Sequence, residues 1–198
     1  MARGPALTED SKKTLREQLR QTCERSWAIQ GYKKTNVKEL CRELGIGIGT
    51  FYMLYPTKED LFIETLAEIQ DALSREFFGN ILEQEPNKAG FVKALKGLHR
   101  KYTEKPFLYR TNSEDFISFS SKLPEEKLGQ LKYDNIAFFQ TAIQQANLKL
   151  KVSREIAFSV FNALLLTANS QYTDASYSCD RAVLFDFMLD NLINDIFE

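Results

Sequence analysis

The sequence predicts an all-α protein, with a three-helix domain at its N-terminus and a larger helical body behind it, about nine helices in all. Three observations carry this reading. Apolar residues recur three and four apart over most of the 198 residues, with nine glycines and five prolines as sparse punctuation. Residues 37–54, VKELCRELGIGIGTFYML, have the pattern of two short helices bent around Gly45. Two C-terminal stretches are apolar on more than one face, as helices covered from two sides are. There is no alternating strand pattern and no internal repeat.

The first helix runs from Asp10 or Ser11 to Ile29, with Leu15, Leu19, Cys23 and Trp27 on one stripe. Trp27 is expected in the core, behind the two short helices. In the second helix Val37, Leu40 and Leu44 face inward, and Cys41 is small enough for a close neighbour. Gly45 ends that helix, because the residue after a helix commonly needs a positive φ. Ile46 returns to the core, and Phe51 and Leu54 form the inner face of the third helix. Gly47, Ile48, Thr50, Tyr52 and Met53 are left outward. A helix held out in this way is the shape that enters a DNA major groove. The plainer alternative is an ordinary corner between two helices.

Thr57 caps the fourth helix, with Glu59 and Asp60 in the first turn, where the helix dipole favours negative charge. Its stripe is Leu61, Phe62, Thr65, Leu66, Ile69, Leu73 and Phe77, and a break is expected from Gly79 to Asn87. Phe91, Leu95, Leu98 and Tyr102 mark a helix that stops before Pro106. A turn over residues 107–112 leads to a short helix over 113–121. Pro124, Glu125 and Glu126 open a helix expected to run unbroken to about Asn147. Ser153 and Asp180 start the last two.

The net charge is only −1, but it is unevenly placed. Residues 1–60 carry eleven Lys or Arg against eight Asp or Glu, and the remainder carries fifteen against nineteen. A basic end on an acidic body fits nucleic-acid contact at that end. Three cysteines (Cys23, Cys41, Cys179) lack CxxC or zinc-ligand spacing, so small buried thiols in a reducing cytoplasm are expected, with no disulfide framework, metal site or cofactor. The N-terminus is polar, and no signal peptide is expected. The uncharged stretch Ile156 to Thr173 contains Ser159, Asn162, Thr167, Asn169, Ser170 and Gln171, so it reads as a buried helix of a cytoplasmic protein and not as a membrane span. One histidine, no phosphate-binding glycine loop and no nucleophile motif argue against an enzyme.

The run from Gly31 to Phe62, GYKKTNVKELCRELGIGIGTFYMLYPTKEDLF, resembles the N-terminal domain of the TetR family of transcriptional regulators. The matching residues are Gly31 and Tyr32, Thr35, Val37, Leu40, Leu44, Gly45, Gly49 to Tyr52, Tyr55 to Glu59, Leu61 and Phe62. Three positions depart from the pattern: Ile48 stands where the family usually has Lys, Leu54 where it has His, and Gly47 where it has a capping Ser or Thr. With Gly47 and Gly49 so close, the recognition helix is expected to firm up on DNA.

The resemblance implies a DNA-binding domain over residues 1–56 and a ligand-binding and dimerisation domain over 57–198. Carried over position by position, the DNA contacts are Thr35, Asn36, Lys38, Gly47, Ile48, Gly49, Thr50, Tyr52 and Lys58. Tyr52 and Lys58 are expected on phosphates, Thr50 and Lys38 at base edges, and Ile48 and Met53 in apolar contact only, for instance with a thymine methyl. The body is rich in Phe and Tyr between Phe91 and Phe139, which suits an apolar or aromatic effector; His99, Tyr102, Tyr109, Asn135, Phe138 and Asn162 are the candidate ligand residues. The last two helices are expected to pair with those of a second copy in a four-helix bundle, holding two recognition helices ~34–36 Å apart. The function implied is a homodimeric repressor, released from a palindromic double-stranded operator by a small molecule. The alternative is an architectural or non-transcriptional DNA-binding protein of the same fold without a ligand.

Overall fold

Helix α1 (Glu9–Lys34) is interrupted at Gly31, where φ is 80° and ψ 172°. A side chain is strained in that conformation, and a Cβ there would also lie 2.8 Å from a carboxylate oxygen of Asp115. That carboxylate accepts the backbone N–H of Tyr32 at 2.7 Å and of Lys33 at 3.0 Å, capping the last turn of α1 from a distant part of the chain.

The computed structural model describes residues 8–83, 86–105, 107, 113–131, 134–168 and 179–198. They form ten α-helices, α1 to α10, and one 3-10 turn (Gly129–Leu131); the one β-bridge among them joins Leu150 to Phe197. None of these helices is long and apolar enough to cross a membrane. Two compact units result. One comprises residues 1–69 and 111–131, the other residues 70–110 and 132–198. The boundary expected at residue 56 marks the end of the helix-turn-helix. The compact N-terminal unit extends beyond it, into α4 (Lys58–Glu83), and takes in α6 (Glu114–Ser120) and α7 (Glu125–Leu128).

In the N-terminal unit, α2 (Val37–Glu43) and α3 (Ile48–Leu54) form the helix-turn-helix, and Gly45 between them has the expected positive φ, 64°. Asn36 caps α2 by accepting the N–H of Lys38 at 2.9 Å. Phe51, Leu54, Leu40 and Cys41 are buried beneath the pair. Behind them Trp27 packs on Phe62 (ring centroids 4.6 Å apart) and Phe119 (5.5 Å), and Tyr32 completes the cluster at 5.0 Å from Phe62. Each of these rings stabilises the unit by roughly 1.5–3 kcal/mol through burial. Arg16 and Arg20 of α1 both reach Glu64 of α4, at 2.9 and 2.5 Å, and Arg16 also donates to the Leu54 carbonyl at the end of α3. Thr57 and Asp60 cap the start of α4 reciprocally, and Lys127 of α7 pairs with the same Asp60.

In the C-terminal unit, α5 (Lys88–Glu104) lies against α10 (Arg181–Ile196), joined by Lys96 to Asp190 at 2.7 Å and Arg100 to Asp186 at 3.0 Å. Phe91, Phe161 and Phe197 form a buried ring cluster that reaches Phe77 of α4 and Phe139 of α8 (Asn135–Gln145). Helix α9 (Arg154–Leu166) supplies Ala157, Phe161, Leu164 and Leu165 to this core. Ser153 and Asp180 cap α9 and α10 as expected.

Two sequence expectations are corrected. Helix α4 does not break at Gly79 but continues to Glu83, because Phe77 and Ile81 extend its buried stripe and outweigh one glycine. The helix expected from Pro124 to Asn147 is two helices, α7 and α8, with Asp134 capping the second by accepting the N–H of Ala137.

Gly31→Ala is expected to destabilise the protein by about 3 kcal/mol, combining backbone strain with displacement of the Asp115 cap. Asp115→Ala keeps the glycine and should cost about 1 kcal/mol. Urea unfolding midpoints of the two variants measure the difference.

Candidate nucleic-acid interface and ligand cleft

Helix α3 presents Ile48, Gly49, Tyr52 and Met53 along one exposed arc, while Phe51 and Leu54 turn into the core. Ile48 is 41% exposed, Tyr52 52% and Met53 54%. No residue of α3 is ionisable except the phenol of Tyr52. Gly47, at the N-cap, makes no side-chain cap, and Thr50 is half-buried. A Cβ at Gly49 would meet nothing within 4 Å, and one at Gly47 only the Thr50 hydroxyl at 3.9 Å, so the fold itself has room for side chains at both. Helix α3 carries no charge of its own, and the preceding helix α2 carries exposed Glu39 and Glu43 as well as basic residues. Lys34 at the end of α1, and Lys38 and Arg42 one turn apart on α2, are exposed. Lys34 and Arg42 were not among the residues singled out from sequence; the basic bias of residues 1–60 was the signal that pointed to them.

Of the expected contact residues, Asn36, Lys38, Gly47, Ile48, Gly49 and Tyr52 are exposed, Asn36 with its side-chain oxygen engaged as the α2 cap. Thr35 and Lys58 are not free to act as expected. Thr35 is buried, and its hydroxyl donates to the Gly31 carbonyl at 2.8 Å and lies 2.9 Å from that of Ser26. It closes α1 and supports the surface from beneath. The ammonium of Lys58 donates to the Tyr32 carbonyl at 2.5 Å and sits 4.0 Å above the Tyr32 ring. Burial lowers its pKa, against the opposing pull of Glu59. Its place at a helix start, awkward for a cation, is explained by this carbonyl and ring and needs no phosphate.

The expected ligand residues do not form one site. Asn135 and Asn162 come together in a cleft of about 510 Å³ between α8 and α9, with Ile136, Phe139 and Phe158 as apolar wall and Gln140 and Arg154 as polar groups. Phe138 lies on another side of α8, against Phe77 and Phe78 at 4.8 and 5.2 Å. Tyr102 is half-buried on α5, and Tyr109 lies outside the described residues. His99 is fully buried, stacked on Phe185 at 4.0 Å with Nε2 3.2 Å from the Thr167 hydroxyl. Burial, helped by Arg100, holds its pKa down to about 4.

This geometry can be set beside known proteins. The family profile described as bacterial regulatory proteins, tetR family, matches residues 22–65, which span the end of α1, both short helices and the start of α4. Over residues 22–65 the helix-turn-helix is thus similar to that of the TetR family. No curated protein sequence matches the chain. Among solved structures, a transcriptional regulator from Saccharomonospora viridis in complex with choline is similar over 94% of this chain and 99% of that one, with a TM-score of 0.71 and 17% identity. A TetR family regulator from Marinobacter aquaeolei VT8 is similar over 96% of this chain and 100% of that one (TM-score 0.61, 15% identity). The regulator FadR from Bacillus subtilis, in complex with stearoyl-CoA, covers 89% of this chain and 96% of itself (TM-score 0.60, 17% identity). The likeness extends the TetR-type fold from the matched segment to the helical body.

Two tests follow from the side-chain placements. Lys58→Ala should lower stability by about 1 kcal/mol and leave the salt dependence of DNA binding nearly unchanged, whereas Lys38→Ala should reduce the salt slope by about one; titrations at several salt concentrations separate them. His99 stays neutral in the fold while an unfolded chain protonates it near 6.5. Stability is therefore full above about pH 6.5 and falls as the pH drops toward 4, by up to about 3 kcal/mol. Unfolding of His99→Gln at pH 7 and pH 5 should lack that fall.

Proposed function

We propose that this chain is a homodimeric transcriptional repressor, released from a palindromic DNA operator by a small apolar or aromatic ligand. The observation that carries the DNA half is the exposed arc of α3, held out by a buried core, with exposed Lys34, Lys38 and Arg42 on the two preceding helices. Among the described residues, Ile48, Tyr52 and Met53 each remain more than two-fifths exposed, with the Tyr52 ring set edge-on against Phe51 at 5.2 Å. A helix of this diameter fits the major groove, and cations beside it meet the phosphates.

The dimer is supported by the outer faces of α9 and α10. Ile156 and Leu166 on α9, and Val183 and Phe187 on α10, are exposed apolar residues, with Leu184 and Met188 half-buried beside the latter pair. Helices whose inner faces already fill the core and whose outer faces are also apolar call for a second apolar surface. An identical copy supplies it with two-fold symmetry, as a four-helix bundle of two α9 and two α10.

The ligand is supported by the cleft between α8 and α9. Its Ile136, Phe139 and Phe158 suit an apolar body, and Asn135, Gln140, Arg154 and Asn162 suit a polar end. Proteins of similar fold hold small molecules, choline in one and stearoyl-CoA in another.

Phe187→Asp tests the dimer and its link to function. The wild type should sediment as a dimer at micromolar concentration and bind a selected palindromic duplex. The variant should sediment as a monomer, keep its helix content and lose at least a hundredfold in affinity for that duplex, because each half-site is then bound alone. A wild-type monomer with full operator affinity would overturn the reading.

A further inference from the structure

The surface of α3 specifies what kind of sequence it can read. A side chain in the major groove meets hydrogen-bonding base edges and one apolar feature, the thymine C5 methyl. The usual side chains for a guanine edge are Arg and Lys, and for an adenine edge Asn and Gln. Helix α3 has none of these among Ile48–Leu54. What it exposes instead is the branched aliphatic side chain of Ile48 and the thioether of Met53, at 41% and 54%, with Gly49 bare between them. The open space around a Cβ at Gly49 means that the fold does not require a glycine there. A bare backbone at that point lets the helix approach a neighbouring surface closely.

We infer, building on the DNA-binding reading above, that α3 recognises its operator through thymine methyl groups seated against Ile48 and Met53. The occupant is duplex DNA because the apolar arc is accompanied by Lys34, Lys38 and Arg42, exposed on the adjoining elements, where they complement a phosphate backbone. The division of labour is then clean. Phosphate affinity comes from α1 and α2, with Lys38 on phosphate instead of the base edge expected from the sequence, and sequence preference from methyl burial on α3, where Thr50 is half-buried. Tyr52, half-exposed between Ile48 and Gly49 on the helix, places a phenol within the arc.

The experiment begins with a duplex selected by the full-length protein from a random-sequence pool. It is resynthesised with deoxyuridine in place of each thymine in turn, which removes the methyl and leaves every hydrogen-bonding group. Replacement at the thymines under α3 is expected to weaken binding about fourfold per methyl, in both half-sites. Replacement elsewhere should change little. The Ile48→Ser, Met53→Ser double variant, altered only at exposed positions, should bind thymine and uracil duplexes equally while keeping the wild-type salt slope. If the wild type binds the selected duplex but treats uracil and thymine alike, the methyl inference is overturned and DNA binding stands. If no duplex is enriched at low salt, the DNA-binding reading itself fails, and the apolar arc belongs to a protein partner.

Discussion

A single carboxylate underlies the organisation of the N-terminal unit. Asp115 holds the amides of Tyr32 and Lys33, 83 and 82 residues away in sequence, and it does so through a gap that only a glycine leaves open. The kink at Gly31 turns the chain so that Tyr32 drops into the ring cluster of Trp27, Phe62 and Phe119, and so that Thr35 can close α1 on the Gly31 carbonyl. The position of α2, and hence of α3, follows from where that closure ends. Lys58 locks the same corner from the other side, on the Tyr32 carbonyl and ring, and the Tyr32 hydroxyl donates to Glu59. Because the interactions share Tyr32, they form one coupled network whose members do not add independently.

Much of this was legible in the sequence, for a physical reason. Caps and turns depend on residues within four positions of each other. Gly45, Asn36, Ser153 and Asp180 therefore announce their structures directly. Buried stripes at helical spacing placed Trp27 in the core and predicted the inner faces of α3 and α4 correctly. What was hidden depended on burial that local spacing does not record. Thr35 read as a surface threonine because its burial comes from tertiary packing, and Lys58 read as a phosphate contact because nothing local offers a cation a home at a helix start. Gly79 read as a breaker because local propensity does not record the burial of Phe77 and Ile81 around it. The cleft between α8 and α9 was not legible as a cleft: Asn135 and Asn162 stand out in the sequence, but the pairing of helices that brings Arg154 and Phe158 to them does not.

The charge pattern gains meaning from the structure. A net charge near zero looks uninformative for a protein that meets a polyanion. Yet the described cations of the first sixty residues are not alike, and Lys12, Arg25 and Lys33 pair with carboxylates at the surface. Arg16, Arg20 and Lys58 are engaged inward, on Glu64 and on the Tyr32 corner, and build the unit. Lys34, Lys38 and Arg42 face outward. A count of basic residues mixes structural cations with those offered to a partner, and only burial and pairing tell them apart.

The aromatic floor under the helix-turn-helix includes Phe119, and the clasp at Gly31 includes Asp115, both on α6. The DNA-reading head is therefore not a cassette that ends where its last recognition residue ends. Grafted onto a foreign scaffold as residues 1–56 alone, it would arrive with an uncapped turn and an open hydrophobic underside. An exchange that keeps this head intact has to carry α6 with it, so that head and clasp are inherited together.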